Sequence, residues 1–163
     1  KKYHLDAVRV GAGLYGIYPS DELEQQITDK IKLKPVLSWY SIVSEVKPLK
    51  KGDYVGYDLT EKIIKLTTMA IVPIGYWHGF DRGFSKIGEI LINGRRARVL
   101  GRVSMDLICV DVTGFNCQVG DQATIIGAHN GVALTAAAMA KKINTSAYEV
   151  LTRINPLIQK IVK

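Results

Sequence analysis

Cysteine is scarce: the 163-residue chain has two, Cys109 and Cys117. A disulfide-stapled scaffold is therefore excluded, and their spacing does not suit a thiolate metal cage. A reduced, cytoplasmic compartment is the simplest expectation. Histidine is almost as rare, and His4, His78 and His129 stand far apart. No paired-histidine motif exists, so no metal is expected. A phosphate loop with its lysine and a nucleophile-elbow serine are also missing. No apolar run approaches membrane-spanning length, and Lys1-Lys2 is not followed by a signal-like apolar stretch, so no membrane partner is expected. Acidic residues are the minority, 15 against 22 Lys plus Arg, which leaves a net charge of +7. The basic clusters Lys47, Lys50, Lys51 and Arg95, Arg96, Arg98 sit near turns and lack interleaved aromatics. They read as solvated turn residues, not as a nucleic-acid surface.

What is present is ordinary globular material: 47% hydrophobic and 23% charged residues, enough for one real core. Leu5 to Val10 reads as a short strand that ends in the glycine-rich turn Gly11 to Gly16. Pro19-Ser20-Asp21-Glu22 is a break and a helix start, and Asp21 to Lys30 is a short exposed helix or loop. From Pro35 the pattern has period two. It predicts strands over Val36 to Val46, Tyr54 to Tyr57, Ile63 to Ile71, Leu107 to Val112 and Gln122 to Ile126. Glu89 to Ile92 and Arg95 to Leu100, joined by Asn93-Gly94, form the clearest hairpin. Leu134 to Lys142 and Ser146 to Arg153 read as helices, the second with Tyr148, Val150 and Leu151 towards the core. The loop between Ser20 and Lys34 separates the leading strand from the β region, giving segments 1–30 and 31–163. Spacing alone stops at a β-rich domain with a small helical tail.

The order of short motifs goes further. Arg9-Val10-Gly11-Ala12-Gly13-Leu14-Tyr15-Gly16 comes first, followed by Val55-Gly56-Tyr57 within Gly52 to Thr60. Pro73-Ile74-Gly75-Tyr76 and Gly101-Arg102-Val103-Ser104-Met105-Asp106 come next, then Val119-Gly120-Asp121 and Tyr148-Glu149-Val150. In that order they resemble the C-terminal part of the alanine racemases, enzymes dependent on pyridoxal phosphate. The resemblance covers nearly the whole chain. It implies a mainly β fold, a C-terminal β-barrel or sandwich domain with a short helical tail. A remnant of a TIM-barrel strand would precede it, within residues 1–30.

The resemblance also implies roles. Tyr57 matches a catalytic tyrosine that acts opposite a lysine, the pair exchanging the substrate α-proton on the two faces. An unperturbed tyrosine pKa is about 10, so such a base needs positive neighbours or dipoles. Met105 matches the residue whose backbone N–H meets the substrate carboxylate, and Asp106 is expected to hold that loop. Arg9 matches an arginine against the cofactor's pyridine nitrogen. A guanidinium cannot accept a hydrogen bond, so it would keep that nitrogen unprotonated. Gly11 and Ala12 match backbone donors to the cofactor phosphate. Tyr76, Arg82 and Arg102 match residues that line or brace the entrance. Two departures stand out: His78 replaces a frequent aspartate, and Pro156 occupies a position where some members have tyrosine. No lysine here has the family's cofactor-lysine context. The 163 residues alone are therefore expected neither to hold the cofactor nor to turn over alanine. L- and D-alanine as substrates, a head-to-tail homodimer and a role in peptidoglycan synthesis are implied for the full-length enzyme. A racemase of serine or another small amino acid, and a non-catalytic β interaction module, are the alternatives.

Overall fold

A computed structural model describes residues 6–162, apart from the side chain of Asp21. The chain divides into two compact units, the first reaching Ser38 and the second starting at Trp39.

The first unit holds a 3-10 turn over Ala12–Tyr15 and helix α1 over Asp21–Ile27. Ser20 caps α1, its Oγ accepting from the Leu23 N–H at 3.2 Å. The Tyr18 hydroxyl donates to the Ile31 carbonyl at 2.8 Å and accepts from the Leu33 N–H at 3.1 Å, which fastens the return segment. The strand expected over Leu5 to Val10 is corrected here. Leu5 lies outside the described residues, and residues 6–10 are in no strand. A strand needs a neighbour for its N–H and C=O groups. Among the described residues of this unit there is none.

The second unit carries the strands β1 (Trp39–Ile42), β2 (Glu45–Leu49), β3 (Tyr54–Val55), β4 (Glu61–Lys62) and β5 (Thr67–Val72). They are followed by β6 (Glu89–Ile92), β7 (Arg95–Leu100), β8 (Ile108–Asp111), β9 (Gln122–His129) and β10 (Val132–Leu134). The main sheet is antiparallel in the order β1-β9-β6-β7-β8-β5-β2, with β10 added to β9. Its two edges, β1 and β2, are halves of one bent stretch of chain. The Val43 N–H donates to the Asp121 carbonyl at 2.8 Å, and the Ser44 N–H to the Ile71 carbonyl at 2.9 Å. One strand thus changes partner from β9 to β5 between neighbouring residues, and the sheet closes on itself as a barrel. The strand expected over Val36 to Val46 is this bent stretch, shifted towards the C-terminus and broken at the partner change.

The hairpin β6–β7 forms at its expected residues, with Asn93 and Gly94 both left-handed at φ 51° and 77°. Ile90, Leu91 and Ile92 are all fully buried, so both faces of β6 are covered. The strand expected over Ile63 to Ile71 starts later, at Thr67, because Ile63 anchors the preceding loop instead. Helices α2 (Ala136–Lys142) and α3 (Ala147–Thr152) pack on each other. Thr135 and Ser146 cap them through hydroxyls that accept from Ala138 and Glu149 N–H groups. On α3, Val150 is buried and Leu151 half-buried, whereas Tyr148 is exposed. The expected inward Tyr148 is corrected: a polar hydroxyl with no buried partner costs less at the surface.

Candidate active site

Tyr57 stands on a short excursion from the barrel. Strands β3 and β4 pair Tyr54 with Lys62 and Val55 with Glu61, and residues 56–60 bridge them. The expected strand over Tyr54 to Tyr57 stops at Val55, because Gly56 takes φ 79° and turns the chain out. The feet of the excursion are apolar: Val55 and Ile63 are buried in one cluster with Met69 and Leu100. The tip is the opposite. Tyr57 opens a 3-10 turn over Tyr57–Leu59 and is 66% exposed. A buried base thus carries an exposed phenol.

Leu100 links this excursion to a second loop. It ends β7 within the same cluster, and Gly101 follows it at φ 68°. A Cβ on Gly101 would stand 2.6 Å from the Val55 carbonyl oxygen. Only glycine lets the two backbones meet there. Arg102 then reaches back, and its guanidinium is paired with the Asp58 carboxylate beside Tyr57. Further on, the Ser104 N–H donates to the Leu107 carbonyl at 3.1 Å, closing a turn over Met105 and Asp106. Met105 is 49% exposed. Its backbone N–H donates to no acceptor among the described residues. The Asp106 carboxylate is exposed and makes no hydrogen bond or ion pair among the described residues. Backbone contacts hold this loop.

Those contacts come from a third segment, Pro73 to Gly79. The Tyr76 N–H donates to the Ser104 carbonyl and the Trp77 N–H to the Met105 carbonyl, each at 3.0 Å. A Cβ on Gly75 would overlap the same carbonyls, so glycine is required for the approach. His78 accepts from the Gly75 N–H through Nδ1 at 3.2 Å and stacks edge-on with Trp77. Its ring therefore braces this segment. Tyr76 is half-exposed and lines an open cleft of about 410 Å³ with Gly79, Asp81, Arg82 and Arg153. Arg153 pairs with Asp81 and with Glu149. Arg82 is exposed and has no ion-pair partner among the described residues. At Pro156 the adjoining Asn155 ties the tail to this segment, its Nδ2 donating to the Trp77 carbonyl at 3.0 Å.

Tyr57, Arg102, Met105 and Tyr76 are thus carried by loops that touch one another through their backbones, and Arg82 lines the same cleft as Tyr76. The remaining expected site residues belong to the first unit. Arg9 is exposed and has no ion-pair partner among the described residues. Gly11 precedes the 3-10 turn, and Ala12 is buried within it. The turn leaves the N–H groups of Gly11, Ala12 and Gly13 without an acceptor among the described residues. Sequence reasoning missed the polar residues that hold the Tyr57 turn, namely Asp58, Glu61, Lys86 and Arg98. Their charge pattern carried no local signal. Among the described residues no group of His, Cys, Asp or Glu is arranged to hold a metal ion, and no helix is long and apolar enough to cross a membrane.

Comparison with known proteins places these loops in a family context. Residues 36–162 match the family described as "Alanine racemase, C-terminal domain". An alanine racemase of Leptospira interrogans is 37% identical over 98% of this chain and 42% of its own length. One of Desulfosudis oleivorans is 38% identical over 97% of the chain and 40% of its own length. The chain therefore spans about two fifths of these curated relatives. Among solved structures, the Bacillus anthracis alanine racemase with bound L-Ala-P superposes with a TM-score of 0.86 at 33% identity, over 91% of this chain and 38% of that one. The enzyme from a D-cycloserine-producing Streptomyces lavendulae gives 0.85 at 34% identity, over 95% and 40%.

Proposed function

The chain belongs to the family of alanine racemase C-terminal domains, and on that premise we propose that it supplies Tyr57 as one of two acid/base groups that interconvert L- and D-alanine. The observation that carries this reading is the setting of Tyr57. Its ring is exposed at the tip of a rigidly footed turn, locked to the loop of Met105.

The chain's own residues divide the work. The Tyr57 phenolic oxygen gives a proton to, or takes one from, the substrate α-carbon on one face. The Met105 N–H, without an acceptor among the described residues, receives the substrate carboxylate and turns the α-carbon towards that oxygen. Tyr76, Arg82 and Arg102 line or brace the way in. The first unit also fits a phosphorylated cofactor. Successive N–H groups at Gly11 and Ala12, without an acceptor among the described residues, suit a phosphate, and Arg9, without an ion-pair partner among them, suits a ring-nitrogen acceptor. Pyridoxal phosphate, when bound, supplies an electron sink for the α-carbanion. No lysine here has the cofactor-lysine context, so that residue comes from outside these 163 residues. The 163 residues alone are then inactive. D-alanine so made would feed peptidoglycan synthesis.

In the complete enzyme we assign Tyr57 to the site of the partner in a head-to-tail homodimer. Leu59 in the same turn, and Ile64 and Leu66 just after β4, at 64%, 77% and 73% exposure, leave more apolar surface than a free excursion needs. Mixed dimers test this. A full-length Tyr57→Phe subunit is combined with a full-length Arg9→Ala subunit, each inactive as its own homodimer. If Tyr57 serves the partner, every mixed dimer regains one intact site, and statistical mixing restores about a quarter of the parent rate. If Tyr57 serves its own subunit, each site keeps one defect and no activity returns.

A further inference from the structure

The Tyr57 turn is an unfavourable conformation that something else must hold. Asp58 at φ 59° and Leu59 at φ 51° are consecutive non-glycine residues in the left-handed region. Side chains with a Cβ rarely stay there unless their surroundings over-determine them. The N-terminal side is fixed by Gly56 against Gly101 and by the Asp58–Arg102 pair. The C-terminal side has the short pairing of β3 with β4, the buried foot Ile63, a long contact from the Thr60 hydroxyl to the Tyr57 carbonyl, and then a closed ring of polar contacts. Arg98 donates through Nη2 to Glu61 Oε1 at 2.8 Å, and that carboxylate side chain is only 15% exposed. The same guanidinium donates through Nη1 to the Lys86 carbonyl at 3.2 Å. Lys86 is itself left-handed at φ 66°, and its Nζ donates to the Thr60 carbonyl at 2.5 Å. Its N–H donates to the Gly101 carbonyl at 3.0 Å, which ties the ring to the Met105 loop.

We propose that Arg98 is a positioning residue for Tyr57: through Glu61 and Lys86 it grips the Thr60–Glu61 end of the turn and fixes where the phenol stands relative to the Met105 loop. The catalytic part of this assignment rests on the reading of Tyr57 given above. The surface of β7 offers a direct comparison. Arg95 and Arg96 stand on the same strand, yet neither bonds to the turn: Arg95 donates to the Gly114 carbonyl, and Arg96 to Glu89 and the Ala133 carbonyl. Only Arg98 is at the register position opposite Glu89 that also reaches Glu61.

Two measurements on Arg98→Met, which keeps the apolar stem and removes the fork, test the proposal. On the 163-residue chain, amide exchange over residues 57–62 should rise about tenfold while exchange in β6 and β8 stays unchanged. On the full-length enzyme, kcat should fall about tenfold or more with KM little changed, because a displaced catalytic group is lost from the transition state and not from substrate binding. Arg98→Lys, which can reach Glu61 but cannot also hold the Lys86 carbonyl, should recover part of both effects. Unchanged exchange over 57–62 in Arg98→Met overturns the proposal. So does a loosened turn with unaltered kcat, provided Tyr57→Phe abolishes turnover in the same assay. If instead Tyr57→Phe is fully active, the catalytic reading of Tyr57 is what has failed.

Discussion

Gly101→Ala isolates the contact on which the whole site is built. The position has φ 68°, and a methyl there would stand 2.6 Å from the Val55 carbonyl oxygen. Forcing alanine into the left-handed region costs about 1 kcal/mol. Relieving the overlap adds about 1–3 kcal/mol, the usual range for overpacking in a tight site. The sum is about 2–4 kcal/mol. Gly120 supplies the control, since it has φ 91° and a methyl added there would meet nothing within 4 Å. Gly120→Ala should therefore cost only the conformational part, about 1 kcal/mol. Denaturant unfolding of the two variants gives the difference directly. Each kcal/mol should lower Tm by about 2–4 °C in a chain of this size. Hydrogen exchange should rise at residues 55–58 and 101–105 only in Gly101→Ala. Equal destabilisation by the two substitutions would refute the idea that close backbone approach joins the loops of Tyr57 and Met105.

Other outcomes follow from particular contacts. Thr135→Ala removes the hydroxyl that accepts from the Ala138 N–H at the start of α2, and should cost about 1 kcal/mol in chemical denaturation. Leu100→Ala empties the cluster shared by Val55, Ile63 and Met69, and should cost about 2–5 kcal/mol. It should also loosen the Tyr57 turn in hydrogen exchange. Glu89 governs part of the acid stability. Partial burial alone would raise its pKa, but hydrogen bonds and charge attraction from Lys142 and Arg96 outweigh it and hold the carboxyl below its usual value of 4.5. A depressed folded pKa means a contribution fully present above the unfolded value and lost as pH falls through the folded one. Glu89→Gln should thus flatten the stability profile below pH 4.5, and an unchanged acid limb would count against the triad.

Local chemistry explains which elements were legible in the sequence. Asn93-Gly94 demands left-handed dihedrals and placed the β6–β7 hairpin at its true residues. Asn130-Gly131 carries the same signal at φ 49° and 79° and joins β9 to β10. Asn-Gly marks that turn in the sequence too, but a strand of only three residues after it shows no alternation to mark the hairpin. Alternation alone ran strands too far. It extended one through Tyr57, where Gly56 ends the pairing, and began another at Ile63, whose burial serves the loop. The leading strand failed because period-two pattern says nothing about whether a partner exists. The loops of the candidate site were visible as ordered motifs. What holds them was not, since Glu61 and Arg98 are 37 residues apart and meet only in the folded chain, where the feet of the excursion pack against the end of β7. The carbonyls of Ser104 and Met105 also hold the Met105 loop, and backbone contacts of that kind leave no mark in the sequence.

The most direct test of the central claim is the rate of racemisation by full-length Tyr57→Phe, measured from L-alanine and from D-alanine, with folding checked by thermal melting. Removing one hydroxyl from an exposed side chain should leave Tm within about 1–2 °C, while both rates fall by about 10²–10⁴. Parent-like rates in the two directions would show that another group moves the proton and that Tyr57 is an ordinary surface tyrosine.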